Sequence, residues 1–177
     1  MELKMRLRNL KEQDAEKMLE WMHDRDVVRY LKKDFSKMTI LDCKNFIENA
    51  CNNKENIHMA VVNDNDEYMG TVSLKNIDRI KGLSEFGVSM RKTAMGTGLA
   101  IKAMRQLFQF AYEIEKINKI YWCVDPRNER ANCFYKKYGY SETAEPDKKY
   151  LKQCGYSEEE IKTYVWYEVE LFDSSVQ

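Results

Sequence analysis

Gly96-Thr-Gly98 is the stretch of this chain best suited to hold an anion. An extended segment runs into the two glycines, and the longest helical pattern in the sequence begins directly after them. Lacking a Cβ, both glycines let the backbone take turn conformations and come close to a ligand. The first N–H groups of the following helix have no intrahelical partners and lie at the positive end of its dipole, so phosphate is the natural guest. The alternative is an ordinary strand-to-helix turn, and these residues alone leave both readings open. No Lys-Ser/Thr pair follows the glycines, which excludes a P-loop.

A second chemical feature lies just upstream. Glu85 interrupts the strand pattern at residues 83–90, and the period of two puts it with Gly87 and Ser89, opposite Phe86, Val88 and Met90. A carboxylate buried without a partner is costly, so Glu85 is either a surface or salt-bridged residue or one that a site uses. Asp24 and Glu67 are competing carboxylates.

Positioning these residues takes a sizeable core, and 177 residues suit one domain spanning 1–177. With 44% hydrophobic and 33% charged residues and no long apolar run, the chain reads as soluble and cytoplasmic, with no membrane partner. The 29 basic and 29 acidic residues cancel, so a nucleic-acid partner is not expected. The five cysteines are scattered without a C-x-x-C pair, and His23 and His58 lack ligand spacing; free thiols and no metal are expected.

Along the chain, Leu3, Met5 and Leu7 alternate as a strand. Asp14 is the expected N-cap of a helix that buries Ala15, Met18, Leu19 and Met22. Residues 21–31 form either one wall of a substrate cleft or a plain helix-loop-helix corner. Thr39 and Asp42 approximate a capping box for a helix burying Ile40, Phe46, Ile47 and Ala50. Residues 57–62 and 67–74 read as a hairpin joined by the turn-rich 63–66, and 83–90 as the next strand. The helix after Gly98 should cover a sheet with Ala100, Ala103, Met104, Leu107, Phe108, Ala111 and Ile114. Residues 119–124 form a strand, Asn128 opens another helix, and one or two strands close the chain by residue 171. Consecutive early strands favour antiparallel pairing, while the strand-helix-strand unit at 84–124 favours a parallel crossover.

Asn128-Glu-Arg-Ala131-Asn-Cys-Phe134-Tyr135-Lys-Lys137-Tyr-Gly139-Tyr140 resembles the Asn-x-x-Ala-x-x-Phe/Leu-Tyr-x-Lys-x-Gly-Phe helix of the GNAT superfamily of acyl-CoA-dependent N-acetyltransferases. Gly96-Thr-Gly98 is similar to that family's Arg/Gln-x-x-Gly-x-Gly/Ala pyrophosphate loop, with Thr93 where the family usually carries Arg or Gln. Arg91 and Lys92, just upstream, could supply the missing charge. The resemblance spans residues 3–171 and is most like the ribosomal-protein N-terminal and amino-sugar acetyltransferase branch. It implies an α+β fold with a mixed, mostly antiparallel sheet of six to seven strands. That sheet would be splayed between the strands at 83–90 and 119–124 and flanked by helices on both faces.

By the same resemblance, acetyl-CoA is the acetyl donor. Its pantetheine arm would pair with backbone groups of Phe86, Val88 and Met90, and its pyrophosphate would meet Thr93, Met95, Gly96, Thr97, Gly98 and Leu99, with Asn128 nearby. Direct transfer to an amine needs a base for the ammonium and a proton donor for the departing thiolate. The resemblance assigns Tyr135 as that acid, although Tyr135 also shares a packed helical face with Ala131, Phe134 and Tyr138. Glu85 is the candidate base, with Asp24, Glu67 or water alone as alternatives. The acceptor would be a small amine, such as an amino sugar or polyamine, or a protein N-terminus, and a homodimer is compatible with the pattern. The competing reading is a degenerate module that binds acyl-CoA as a sensor, without turnover.

Overall fold

The computed structural model describes residues 4–172. Six strands form one sheet in the order β1-β2-β3-β4-β5-β6: β1 Met5–Asn9, β2 Ile57–Asn63, β3 Tyr68–Asp78, β4 Leu83–Met90, β5 Lys119–Val124 and β6 Val165–Glu170. All neighbours pair antiparallel except β4 and β5, which are parallel. The expected mixed α+β sheet is present with six strands. Leu3 lies outside the described residues.

The helices are α1 Ala15–Met22, α2 Arg25–Val28, α3 Ile40–Asn52, α4 Leu99–Glu113, α5 Glu129–Lys137, α6 Lys148–Gln153 and α7 Glu158–Thr163. The alternating pleat divides the core between the two sheet faces. On one, Val72, Leu74, Phe86, Ile120 and Trp122 pack under α4, and Tyr135 of α5 joins them. On the other, α1 and α3 cover Ala60, Val62 and Tyr68. Beside them, Leu151 of α6 and Ile161 of α7 cover Leu83, Tyr121 and Trp166. No helix among the described residues is long and apolar enough to cross a membrane.

Several local expectations change. Asp14 precedes α1 but makes no side-chain cap bond to it. Instead it accepts from the Lys11 N–H at 2.8 Å and forms a bidentate pair with Arg8, a stronger claim on its oxygens than a helix N–H. On α3 the capping box at Thr39 and Asp42 is present, but Ile40 is exposed and Cys43 fills the core position. On α4, Ile114 is 63% exposed, because the helix ends at Glu113 and leaves the sheet. The two short helices α6 and α7 were not anticipated.

Candidate functional site

The parallel contact between β4 and β5 is short. It pairs Leu83 with Lys119, Ser84 with Ile120 and Glu85 with Tyr121, and stops there. Beyond Glu85 the strands diverge, leaving Gly87, Val88 and Ser89 only half-buried in mid-sheet. Backbone groups on that side of β4 have no strand partner, although buried peptide groups normally find one. A cleft of about 960 Å³ opens in this gap.

At one end of the cleft lies the glycine turn. Gly96 and Gly98 take left-handed φ values of 77° and 82°, and Gly98 is the N-cap of α4. A Cβ at either position would meet nothing within 4 Å, so the glycines are required by conformation and keep the space before the helix open. Met95, Gly96 and Gly98 line the cleft, as do Phe86, Val88, Met90 and Asn128. The Asn128 side chain accepts from the Ala131 N–H at 3.1 Å and so caps α5.

Three other loop residues do not line it. Thr93 is exposed in a short 3-10 turn, Thr97 donates its hydroxyl to the Ala94 carbonyl at 2.6 Å, and the Leu99 side chain is buried in the core. The charge assigned to Arg91 and Lys92 is also spent elsewhere. Arg91 is buried and bonds Glu20 and Glu67, while Lys92 pairs with Asp26 at 2.7 Å. Arg130 of α5, which reaches the Met95 sulfur, and Lys137 are the cations that line the cleft from this side.

Glu85 and Tyr135 both line the cleft, from opposite faces of the sheet meeting at the gap. Glu85 is 4% exposed and its carboxylate is held by three donors. Lys75 Nζ, directly across the β3–β4 ladder, lies 2.7 Å from Oε1; the Tyr156 hydroxyl donates to the same oxygen at 2.7 Å; Asn76 Nδ2 donates to Oε2 at 2.9 Å. Asn76 takes a left-handed φ of 51° where the ladder register shifts, and the bulge turns its amide toward Glu85. Tyr150 of α6 fixes that bulge by donating to the Asn76 carbonyl at 3.0 Å. Asp24 caps α2 and Glu67 pairs with Arg91, so neither competing carboxylate lines the cleft.

Tyr135 is 5% exposed, packed against Trp122 and Tyr167, and its hydroxyl has no hydrogen-bond partner among the described residues. Burial, reinforced by Tyr167 and Cys123, pushes its pKa far above the ordinary value of 10. It therefore stays a proton donor at neutral pH. Burial, with Cys123 and Glu85, drives the Tyr156 hydroxyl upward in the same way, and burial raises the Cys123 thiol to about 11. Trp122, also lining the cleft, carries an indole N–H that is buried without a partner among the described residues.

Val27, Tyr30, Leu31, Lys32, Lys33 and Phe35 form a further wall of the cleft, together with Tyr156 and Tyr164. The segment at 21–31 thus supplies cleft wall through Val27, Tyr30 and Leu31, rather than only a corner. Lys75, Asn76, Tyr150, Tyr156 and Lys32 were all missed from the sequence. The Ser157-x-x-Glu160 capping box of α7 was the one local signal of the element that brings Tyr156 in.

A sheet parted at one parallel pair, with a glycine-bounded helix N-terminus at the end of the part, defines a protein built to take a long phosphorylated ligand between two strands. The chain belongs to the GNAT acetyltransferase family: the model of the acetyltransferase (GNAT) domain matches residues 4–141. It is 31% identical over 81 residues to spermidine N(1)-acetyltransferase of Escherichia coli strain K12, covering 46% of this chain and 44% of that protein. It is 29% identical over 73 residues to the putative ribosomal N-acetyltransferase YdaF of Bacillus subtilis strain 168, covering 41% and 40%. The matches thus span less than half the length of these curated relatives. Among solved structures, spermidine N-acetyltransferase from Vibrio cholerae, in complex with CoA and spermine, superposes with a TM-score of 0.74 at 15% identity, over 94% of this chain and 95% of that one.

The residues present fit acetyl-CoA. The open left-handed glycines would take its pyrophosphate and the unpaired backbone of β4 its arm, and the buried Trp122 N–H, without a partner among the described residues, is a donor the same cleft holds.

Proposed function

We propose that this protein transfers an acetyl group from acetyl-CoA to a primary amine by direct attack, with no covalent enzyme intermediate. One observation carries the reading: Glu85 and Tyr135 open on the same cleft, at the point where β4 and β5 part. Bound there, acetyl-CoA supplies an activated carbonyl carbon and a thiolate leaving group.

Glu85 receives the acceptor ammonium and takes its proton, directly or through one water. Three of the roughly four acceptor positions of a carboxylate are used by Lys75, Asn76 and Tyr156, leaving about one for the incoming amine. That fixed geometry presents the amine to the carbonyl carbon. As the nitrogen–carbon bond forms and the carbon–sulfur bond breaks, Tyr135 gives its proton to the sulfur, and the second proton that the nitrogen sheds in becoming an amide restores the tyrosine hydroxyl. The raised pKa of Tyr135 keeps its proton available, and its hydroxyl has no competing partner among the described residues.

The acceptor is a small primary amine. The names of the relatives make spermidine a first compound to assay, alongside amino sugars and a peptide N-terminus. Association of copies belongs to the same reading, supported by the dodecameric state reported for one structural neighbour from Vibrio cholerae. Sedimentation would test it. The decisive experiment is release of free thiol from acetyl-CoA across an amine panel, beside thermal shift with CoA. Thiol release with at least one amine is expected; CoA binding without turnover on any amine would instead identify a sensor.

A further inference from the structure

We infer that the acceptor is an amine that also carries an anionic group, a carboxylate or a phosphate ester, and that Lys32 recognises that group. The inference rests on the acetyl-transfer reading, because it takes Glu85 as the group that receives the amine.

One ammonium group touches Glu85, and a second lies over the ring whose hydroxyl bonds it. Lys75 Nζ touches it at 2.7 Å. Lys32 Nζ lies 4.7 Å from the centre of the Tyr156 ring, and the hydroxyl of that ring donates to Glu85 at 2.7 Å. Lys33 lines the same wall, 5.4 Å over Phe35, with no carboxylate partner among the described residues. Against these three cations the cleft lining offers two carboxylates, Glu85 and Asp125, and Asp125 is already held by Arg127 at 2.7 Å.

A polyamine would place its second and third ammonium groups in this field, where the described cleft lining leaves no carboxylate free to receive them. Like charges repel more strongly in a partly desolvated, aromatic-walled cleft than in bulk water. An anion a few bonds from the reacting amine reverses the sign. The amine meets Glu85 while the anion meets Lys32. Lys32 is also paired with Glu160 at 2.6 Å, but an ammonium has three donors, and this pair uses one of them.

The test uses the full chain saturated with CoA. Calorimetric titration and thiol release are measured for phenylalanine against phenylalaninamide, glucosamine 6-phosphate against glucosamine, and spermidine. In at least one pair the anionic member should bind, and react, about ten-fold or more better than its neutral counterpart and than spermidine; which pair does so separates carboxylate from phosphate. Lys32→Met should bring that ratio near one, and Lys32→Arg should restore it. Spermidine binding as well as either anionic amine, no binding by either anionic amine, or an unchanged ratio in Lys32→Met would overturn the inference. Anionic amines that bind as expected without any thiol release would uphold recognition by Lys32 and overturn acetyl transfer. Turnover of spermidine alone would do the opposite.

Discussion

The Tyr156 hydroxyl donates a hydrogen bond to Glu85 at 2.7 Å across 71 residues of sequence. It ties the segment between α6 and α7 to the strand that opens the cleft, so a region with little regular structure of its own completes the shell of the candidate base. The same ring bears the Lys32 ammonium, and the Cys123 thiol contacts the same hydroxyl at 3.7 Å. Orientation of Glu85 therefore depends on an element outside both sequence motifs.

Tyr156→Phe should lower kcat/KM about ten-fold, since a hydrogen bond to a charged group contributes roughly 1.5–3 kcal/mol and the ring itself is kept. Affinity for CoA should not change, because Tyr156 lies away from the glycine turn. Steady-state kinetics beside calorimetry with CoA would check this. A loss confined to CoA binding would mean that Tyr156 does not act through Glu85.

Tyr135→Phe separates catalysis from packing. The Tyr135 ring packs against Trp122 and Tyr167, and phenylalanine keeps those contacts. The hydroxyl opens on the cleft with no partner among the described residues, so its removal should leave the melting temperature nearly unchanged. Turnover should nevertheless fall about 100-fold, the usual scale for loss of a positioned proton donor. Unchanged turnover with raised stability would reduce Tyr135 to a core aromatic.

The parts legible in the sequence are those written in local pattern. β4 and β5 follow from period-two alternation, and the turn at 63–66 from its Asn and Asp residues. The Gly96/Gly98 turn and the Asn128 cap are likewise one-residue signals with one conformational cause each. What was not legible lies in register and in long-range contact. Lys75 faces Glu85 only once the β3–β4 ladder is in register, and Asn76 reaches it only through a bulge. Helices α6 and α7 are six residues each, too short for an apolar period to show. Arg91 looked available for pyrophosphate because nothing local reveals Glu20, which is 71 residues away.

Acid should weaken the fold through His58. Its ring lies edge-on to Phe46 at 4.8 Å, with Nδ1 2.7 Å from the Ser73 hydroxyl oxygen. Burial, with the Lys75 charge, lowers its pKa from 6.5 to about 4. Between those values the unfolded chain binds a proton that the folded chain refuses. Stability is thus fully present above pH 6.5 and lost as pH falls through about 4, by at most on the order of 3 kcal/mol. Denaturant unfolding of His58→Gln beside the parent from pH 7 to 4 isolates this group from the carboxylates. Parallel curves would show that His58 titrates normally.

Gly98→Ala and Gly139→Ala form a matched pair. Both glycines have left-handed φ, 82° and 84°, and a Cβ at either would meet nothing within 4 Å. Each substitution should therefore cost the fold about 1–2 kcal/mol from backbone conformation alone. Only Gly98 lines the cleft at the N-terminus of α4; Gly139 lies just past the end of α5. On the proposed reading, a methyl group at 98 would stand in the path of the pyrophosphate to the free N–H groups. Calorimetric titration with CoA should then show roughly ten-fold weaker binding for Gly98→Ala and parental affinity for Gly139→Ala, at similar loss of stability. Equal CoA affinities in the two variants would remove the glycine turn from the binding site, because the conformational penalty is common to both and cancels in the comparison.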